Sequence, residues 1–229
     1  MAEEDLIKLL IAITSAFVGW VLAQFTSAMK VWFQREKIKK LLLEELKDID
    51  LEIDRLLMFY NRQLQIFGAN GIGNSSSVGI SNFIFKNYYK DALLSLNQRQ
   101  RISYQMIHSL VDSVNSGALE LKEMTTDIQN ELFANGLSKA VDKAGDGWAA
   151  KVKAEYSHCS SLKWHIKYHI ENKKSPDLSA YTKHHEVYVQ YLENVKNEIE
   201  IIIAEGKTIP LEKFSKTYNP ESFTNCAAP

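Results

Sequence analysis

The sequence predicts an all-α protein, in which one N-terminal transmembrane helix continues into a cytoplasmic antiparallel helical bundle. Three observations carry this. Residues 9–29, LLIAITSAFVGWVLAQFTSAM, are free of charge and rich in small side chains. The 229 residues include only four prolines and ten glycines, and the glycines cluster, which leaves long breaker-free stretches that favour helix. No segment carries a strand signal.

The first element is the apolar one. From Leu6 to Met29 the only charge is Lys8. At ~1.5 Å per residue such a helix is roughly 36 Å long, enough to cross a hydrocarbon core of ~30 Å with some tilt. Lys8 lies near one end, where its stem can reach the headgroups. Trp32 follows the span, where an interfacial aromatic is expected. Glu3, Glu4 and Asp5 precede it; Lys30, Arg35, Lys37, Lys39 and Lys40 follow. Basic residues stay on the cytoplasmic side, so the expected location is the inner membrane of a cell, single-pass, with the N-terminus outside. A cleaved signal would carry a basic start and a shorter apolar core, although Thr26-Ser27-Ala28 resembles a cleavage site. A buried core helix is the other alternative, and the length of the apolar run argues against it.

Ala12, Ala16, Gly19, Ala23 and Thr26 recur at spacings of four and three, one stripe down one helix face. In lipid, helices associate by close packing, and small residues let backbones approach. Self-association of copies is the expectation, with Thr14, Ser15 and Gln24 able to add hydrogen bonds; a pore is the stronger claim, since the same stripe serves dry packing.

Beyond the bilayer the helix is expected to run on. Leu42, Leu46, Ile49, Ile53, Leu56, Tyr60 and Phe67 fit a heptad seam. Packing on the chain's own domain is favoured, with a membrane-proximal coiled coil as the alternative. GANGIGNSSSVGIS, 68–81, reads as a flexible connector: its glycines match no nucleotide fingerprint, and no Gly-Lys-Ser/Thr or preceding strand supports a phosphate loop. A helix from Lys86 to Gly117 follows, then further helix, with Gly136, Gly145 and Gly147 read as breaks and a new helix near Trp148. Ser175 and Pro176 read as N-cap and first position of the last helix, whose stripe is Tyr181, His185, Tyr188, Leu192, Val195, Ile199 and Ile202, closed by Gly206. The organisation is therefore an external N-terminus and transmembrane helix (1–29), a juxtamembrane amphipathic helix (30–67), a Gly/Ser-rich loop (68–85), a helical bundle (86–206) and a polar tail (207–229) in which Phe214 or Tyr218 could dock back.

A net charge of -1 gives no reason to expect nucleic acid. Cys159 and Cys226 are too few for a disulfide framework, and the ending Cys226-Ala-Ala-Pro lacks the polybasic run of a prenylation site. Five of six histidines lie between 158 and 185. His165 and His169 are four apart, a spacing that can bind zinc, and a hairpin could add His185 or Glu186. The catalytic H-E-x-x-H pattern is absent, because Ile166 stands in the glutamate position. The preferred reading is half-exposed rings edging the core, with His185 a hydrogen-bonded core residue, and no metal or cofactor.

The segment LIKLLIAITSAFVGWVLAQF and its junction KIKKLLLEEL resemble uncharacterised bacterial single-pass membrane proteins with a helical cytoplasmic domain, some associated with phage defence. The resemblance covers the architecture and assigns no functional residue. The expectation is a membrane-anchored, non-enzymatic interaction or sensor protein that touches lipid, self-associates and takes a cytoplasmic protein or small molecule as partner. The alternative is an oligomeric effector that perturbs membrane permeability.

Overall fold

The computed structural model describes residues 2–74, 79–136 and 139–210, and every regular element among them is helical. α1 (Ala2–Gly68) is unbroken, so the apolar N-terminal segment and the amphipathic helix that follows it are one rod roughly 100 Å long. Its first half is uncovered. From Ile38 onward the seam of Leu42, Leu46, Ile49, Ile53, Leu56 and Tyr60 is buried, and Phe67 is half-buried. The helices that cover it are α2, α4 and α5 of the same chain, so this seam is spent on intramolecular packing.

α2 (Phe83–Ala92) ends in a single 3-10 turn, Leu93–Ser95. α3 (Gln98–Asn135) and α4 (Lys139–Glu171) form the long hairpin, and α5 (Lys183–Gly206) closes the domain. Side-chain pairs fix the directions. Glu45 of α1 lies beside His108 of α3, and Gln129 further along α3 reaches Asn74, whose carbonyl accepts from Gln63 near the other end of α1. α3 therefore runs in the same sense as α1. α4 returns, with Trp148 against Thr125 and His169 against Ser103. α5 turns back along α4, pairing Tyr188 with Ser161 and Glu198 with Tyr156, and finishes beside the last turn of α1.

Residues 69–74 and 79–82 lie back along α1, and each of these two described pieces is fastened to the bundle. Gln63 Nε2 donates to Asn74 O at 3.0 Å; Asn115 exchanges two bonds with the backbone of Ile80, at 2.7 and 2.9 Å. The described part of this Gly/Ser-rich segment is thus a strap laid on the bundle.

Several expected boundaries are corrected. The helix expected from Lys86 breaks at 93–97, because Asn97 forms a capping box with Gln100: its side chain accepts from Gln100 N at 3.0 Å, and Gln100 Oε1 accepts from Asn97 N at 2.9 Å. α3 then passes through Gly117 without ending. Gly145 and Gly147 lie inside α4, so a glycine alone did not stop the helix. Ser175 and Pro176 are not helical. Asn97 and Gln100 bind the carbonyls of Lys174 and Lys173, both at 2.7 Å, and hold that segment against the start of α3. The cap of α5 is Thr182, whose Oγ1 accepts from His185 N at 3.2 Å. Tyr181 has φ 61° and stands outside the stripe, fully exposed. The expectations for Phe214, Tyr218 and Cys226 lie outside the described residues.

Gly206 is the last residue of α5, followed by Lys207 in ordinary right-handed geometry, so it is not a left-handed terminator. Its role is proximity. A Cβ there would sit 2.3 Å from Gln65 O, and one at Gly68 would sit 2.2 Å from Ile203 O. The backbones of α1 and α5 touch where these glycines face each other. Gly206→Ala is expected to lose about 1–3 kcal/mol by forcing the crossing apart. Gly145→Ala, whose Cβ meets only Ile72 Cδ1 at 3.6 Å, should gain up to ~1 kcal/mol from helix propensity. Thermal unfolding followed by circular dichroism separates the two signs; a Gly206→Ala protein as stable as its parent would refute the close crossing.

Candidate functional site

Among the described residues, two regions stand out for chemistry beyond packing. The first is the uncovered half of α1. Its most apolar window has no residue buried inside the molecule, and Leu10, Phe17, Trp20, Leu22 and Phe25 all face outward. Ala12, Ala16, Gly19, Ala23 and Thr26 are likewise exposed, and a Cβ on Gly19 would meet nothing within 4 Å. Thr14 and Thr26 donate to Leu10 O (2.7 Å) and Leu22 O (2.8 Å) of their own helix, so neither hydroxyl needs an outside acceptor. Lys30, Arg35, Lys37, Lys39 and Lys40 form a basic collar around the point, at Ile38, where the bare stretch gives way to the buried seam. Lys39 pairs with Glu36 at 2.9 Å.

The second region is a line of buried polar groups in the end of the domain nearest that collar. Glu45 replaces the missing side-chain cap of α2: its two oxygens accept from Ile84 N at 2.6 Å and Phe85 N at 2.9 Å. His108 Nε2 lies 3.7 Å from the same carboxylate, and Phe85 stacks on the imidazole at a centroid distance of 3.7 Å. Tyr104 continues the line to His169, whose Nδ1 meets Ser103 Oγ at 2.7 Å. On the other side of α4, His165 sits between Trp164 and Tyr188. Burial pushes the imidazolium pKa of His108 down to about 3 and those of His165 and His169 to about 4. Burial raises Glu45, against the two amide hydrogen bonds that lower it. These histidines are therefore neutral at pH 7.

No family model, curated protein or solved structure matches the chain. Its chemistry is read from its own residues alone.

His165 and His169 were expected as half-exposed edge residues and are instead buried in the core. His185 is half-buried, and its ring lies 6.3 Å from that of Tyr181. The structure does not bring His165, His169 and His185 together, and among the described residues no group of three or more His, Cys, Asp or Glu side chains is placed to hold a metal. The reason is geometric: His165 and His169 point into different interfaces of α4, one toward Tyr188 of α5 and the other toward Ser103 of α3.

Two buried carboxylates escaped the sequence reading. Glu155 is fully buried, and its oxygens fill the space a Cβ on Gly117 would take, 2.1–2.3 Å away. Lys151 Nζ at 3.2 Å and His158 Nδ1 at 3.5 Å border it. The signal was present in both cases. Glu155 stands three residues after Val152 and four before Cys159, and Glu45 stands three after Leu42 and four before Ile49, so each occupies the inward phase of its helix. Burial pushes the Cys159 thiol up, which holds it as the unreactive thiol.

Proposed function

We propose that the protein is a membrane-anchored helical interaction or sensor protein, held by one span of α1 with its helical domain in the cytoplasm, and self-associating through the small-residue face of that span. The observation that carries this reading is the division of α1. One uninterrupted helix is bare and apolar up to Phe33 and becomes the packed centre of a domain from Ile38. A soluble domain has no use for such an exposed rod, whereas lipid covers it without cost. The acidic start and basic collar orient it with the domain inside the cell. Membrane lipid is then one partner, a second copy another, and a cytoplasmic protein or small molecule the third.

The second reading, an oligomeric effector that perturbs permeability, rests on the same small-residue face and differs in stoichiometry. The mass of the detergent-solubilised full-length complex discriminates. A dimer supports the sensor; a defined higher homo-oligomer that releases dye from vesicles supports the effector. Replacing Ala16 and Gly19 together by Leu is expected to reduce either assembly to monomers while membrane insertion persists. Unchanged assembly in that variant would remove the small-residue face from both readings.

A further inference from the structure

We propose that the end of the helical domain facing the span is a docking surface for the anionic phospholipid headgroups of the membrane that α1 crosses, with Leu94 as its apolar contact and Lys90, Lys173 and Lys174 as headgroup ligands. The proposal rests on residues 6–29 being a membrane span.

Placement comes from the internal contacts. Glu45 caps the first turn of α2 and lies beside His108 of α3. From that level α2 runs toward the span, and the Tyr89 hydroxyl donates to Arg101 O at 3.2 Å, near the start of α3. α3 begins ten residues before His108, so the turn at 93–97 lies roughly 15 Å spanward of Glu45, at the height of the basic collar of α1. Leu94, in this turn, is 82% exposed. A single exposed leucine is ordinary. This one stands on a stiff turn: Arg101 Nη1 donates to Leu96 O at 2.7 Å, and Ser95 Oγ donates to Ala92 O at 2.7 Å. Its exposure is therefore imposed by the fold.

The charge around it is net positive: Lys90, Arg99, Arg101, Lys173 and Lys174 stand beside Asp91, Glu171 and Asp177. Asn97 and Gln100 bind the backbone carbonyls of Lys174 and Lys173, which holds the α4–α5 connection at this end and leaves both lysine side chains exposed. Lys90 is also exposed in the last turn of α2. None of the three makes an ion pair among the described residues. The acids here are Asp91, Glu171 and Asp177, and Asp177 is engaged by Arg99 at 3.0 Å. By contrast, the opposite half of α3 carries Glu120, Glu123, Asp127 and Glu131 against the single Lys122. Lysines within a Debye length of an anionic surface are drawn to it, and an apolar side chain beside them enters the headgroup boundary.

The test uses the full-length chain with Cys226→Ser, labelled with an environment-sensitive fluorophore at Leu94→Cys, Trp20→Cys or Phe133→Cys. Each is reconstituted in vesicles of phosphatidylcholine alone or mixed with phosphatidylglycerol. Nitroxide lipids quench the label at headgroup or acyl depth. The label at 94 should be quenched at headgroup depth about threefold more in the anionic vesicles, and Lys173→Glu with Lys174→Glu should remove that difference. The label at 20 should be quenched at acyl depth in both vesicles, and the label at 133 in neither. Quenching at 20 without quenching at 94 overturns the docking surface and leaves the span intact. Equal quenching at 94 in both lipids overturns headgroup charge as the ligand. No quenching at 20 overturns the span, and the docking surface with it.

Discussion

Lowering the pH from 7 to 5 is expected to destabilise the folded domain by several kcal/mol, read as a fall in the urea midpoint of the full-length protein in detergent. The sign follows from the buried histidines. In the unfolded chain an imidazole protonates near pH 6.5, whereas in the fold His108 is held down to about 3 and His165 and His169 to about 4. As the pH drops below 6.5 the unfolded state takes up protons that the folded state refuses, and stability falls until the folded values are reached. Each histidine contributes about 1.4 kcal/mol per pH unit inside that window. Glu45 works the other way: its carboxyl is raised by burial, so its protonation favours the fold at low pH. One carboxylate against three imidazoles leaves a net loss. A midpoint that stays flat from pH 7 to 5 would mean that these rings are not shielded as the fold places them.

Trp148→Ala should be the most damaging single substitution in the α3–α4 hairpin, costing about 3–5 kcal/mol in chemical denaturation. The indole is fully buried and its Nε1 donates to Thr125 Oγ1 at 2.9 Å. That hydroxyl donates in turn to Leu121 O at 2.7 Å, so the truncated site leaves a cavity and no orphaned polar group. Amide exchange should accelerate first around Leu121–Ile128 and along the facing part of α4. A loss below about 1 kcal/mol would show that the hairpin collapses onto the vacated space.

Helix content and the inward face of each helix were legible because they follow from local periodicity. Leu42 to Tyr60, Ile107 to Val114 and Trp148 to Ile166 are buried in the phase their spacing implies. What was not legible depends on partners distant in sequence. Gly206 looked like a terminator, and only the arrival of Gln65 shows that it is there for a backbone crossing. Ser175-Pro176 had the form of a helix start, yet its carbonyl neighbours are taken by Asn97 and Gln100. His165 and His169 flank the apolar stripe in projection, but α5 and α3 close over them from either side, so these two end up in the core. Glu45 and Glu155 were hidden by the habit of assigning carboxylates to solvent. Their inward phase was the available signal, and Gly117 opposite Glu155 becomes meaningful only when the two helices meet.

Because α1 is unbroken, the rotational phase of its two halves is fixed. At ~100° per residue, the face bearing Ala12, Ala16, Gly19, Ala23 and Thr26 lies roughly a third of a turn from the face bearing Leu42, Leu46 and Ile49. Contact between copies through the former would leave α2, α4 and α5 seated on the latter, so self-association of that kind would not require the domain to open. The same outward face carries Glu44 and Asp48 below the collar. A twofold pair turned squarely on this face would set those carboxylates, with Lys37 and Arg55 beside them, against their own counterparts, whereas a ring, in which each copy is turned past its neighbour, would turn them toward Lys40 and Lys47, the latter already paired with Glu44 of its own chain at 2.8 Å. If copies associate through this face, the number of copies around the axis would thereby depend on the charge carried by the helix surface that follows it.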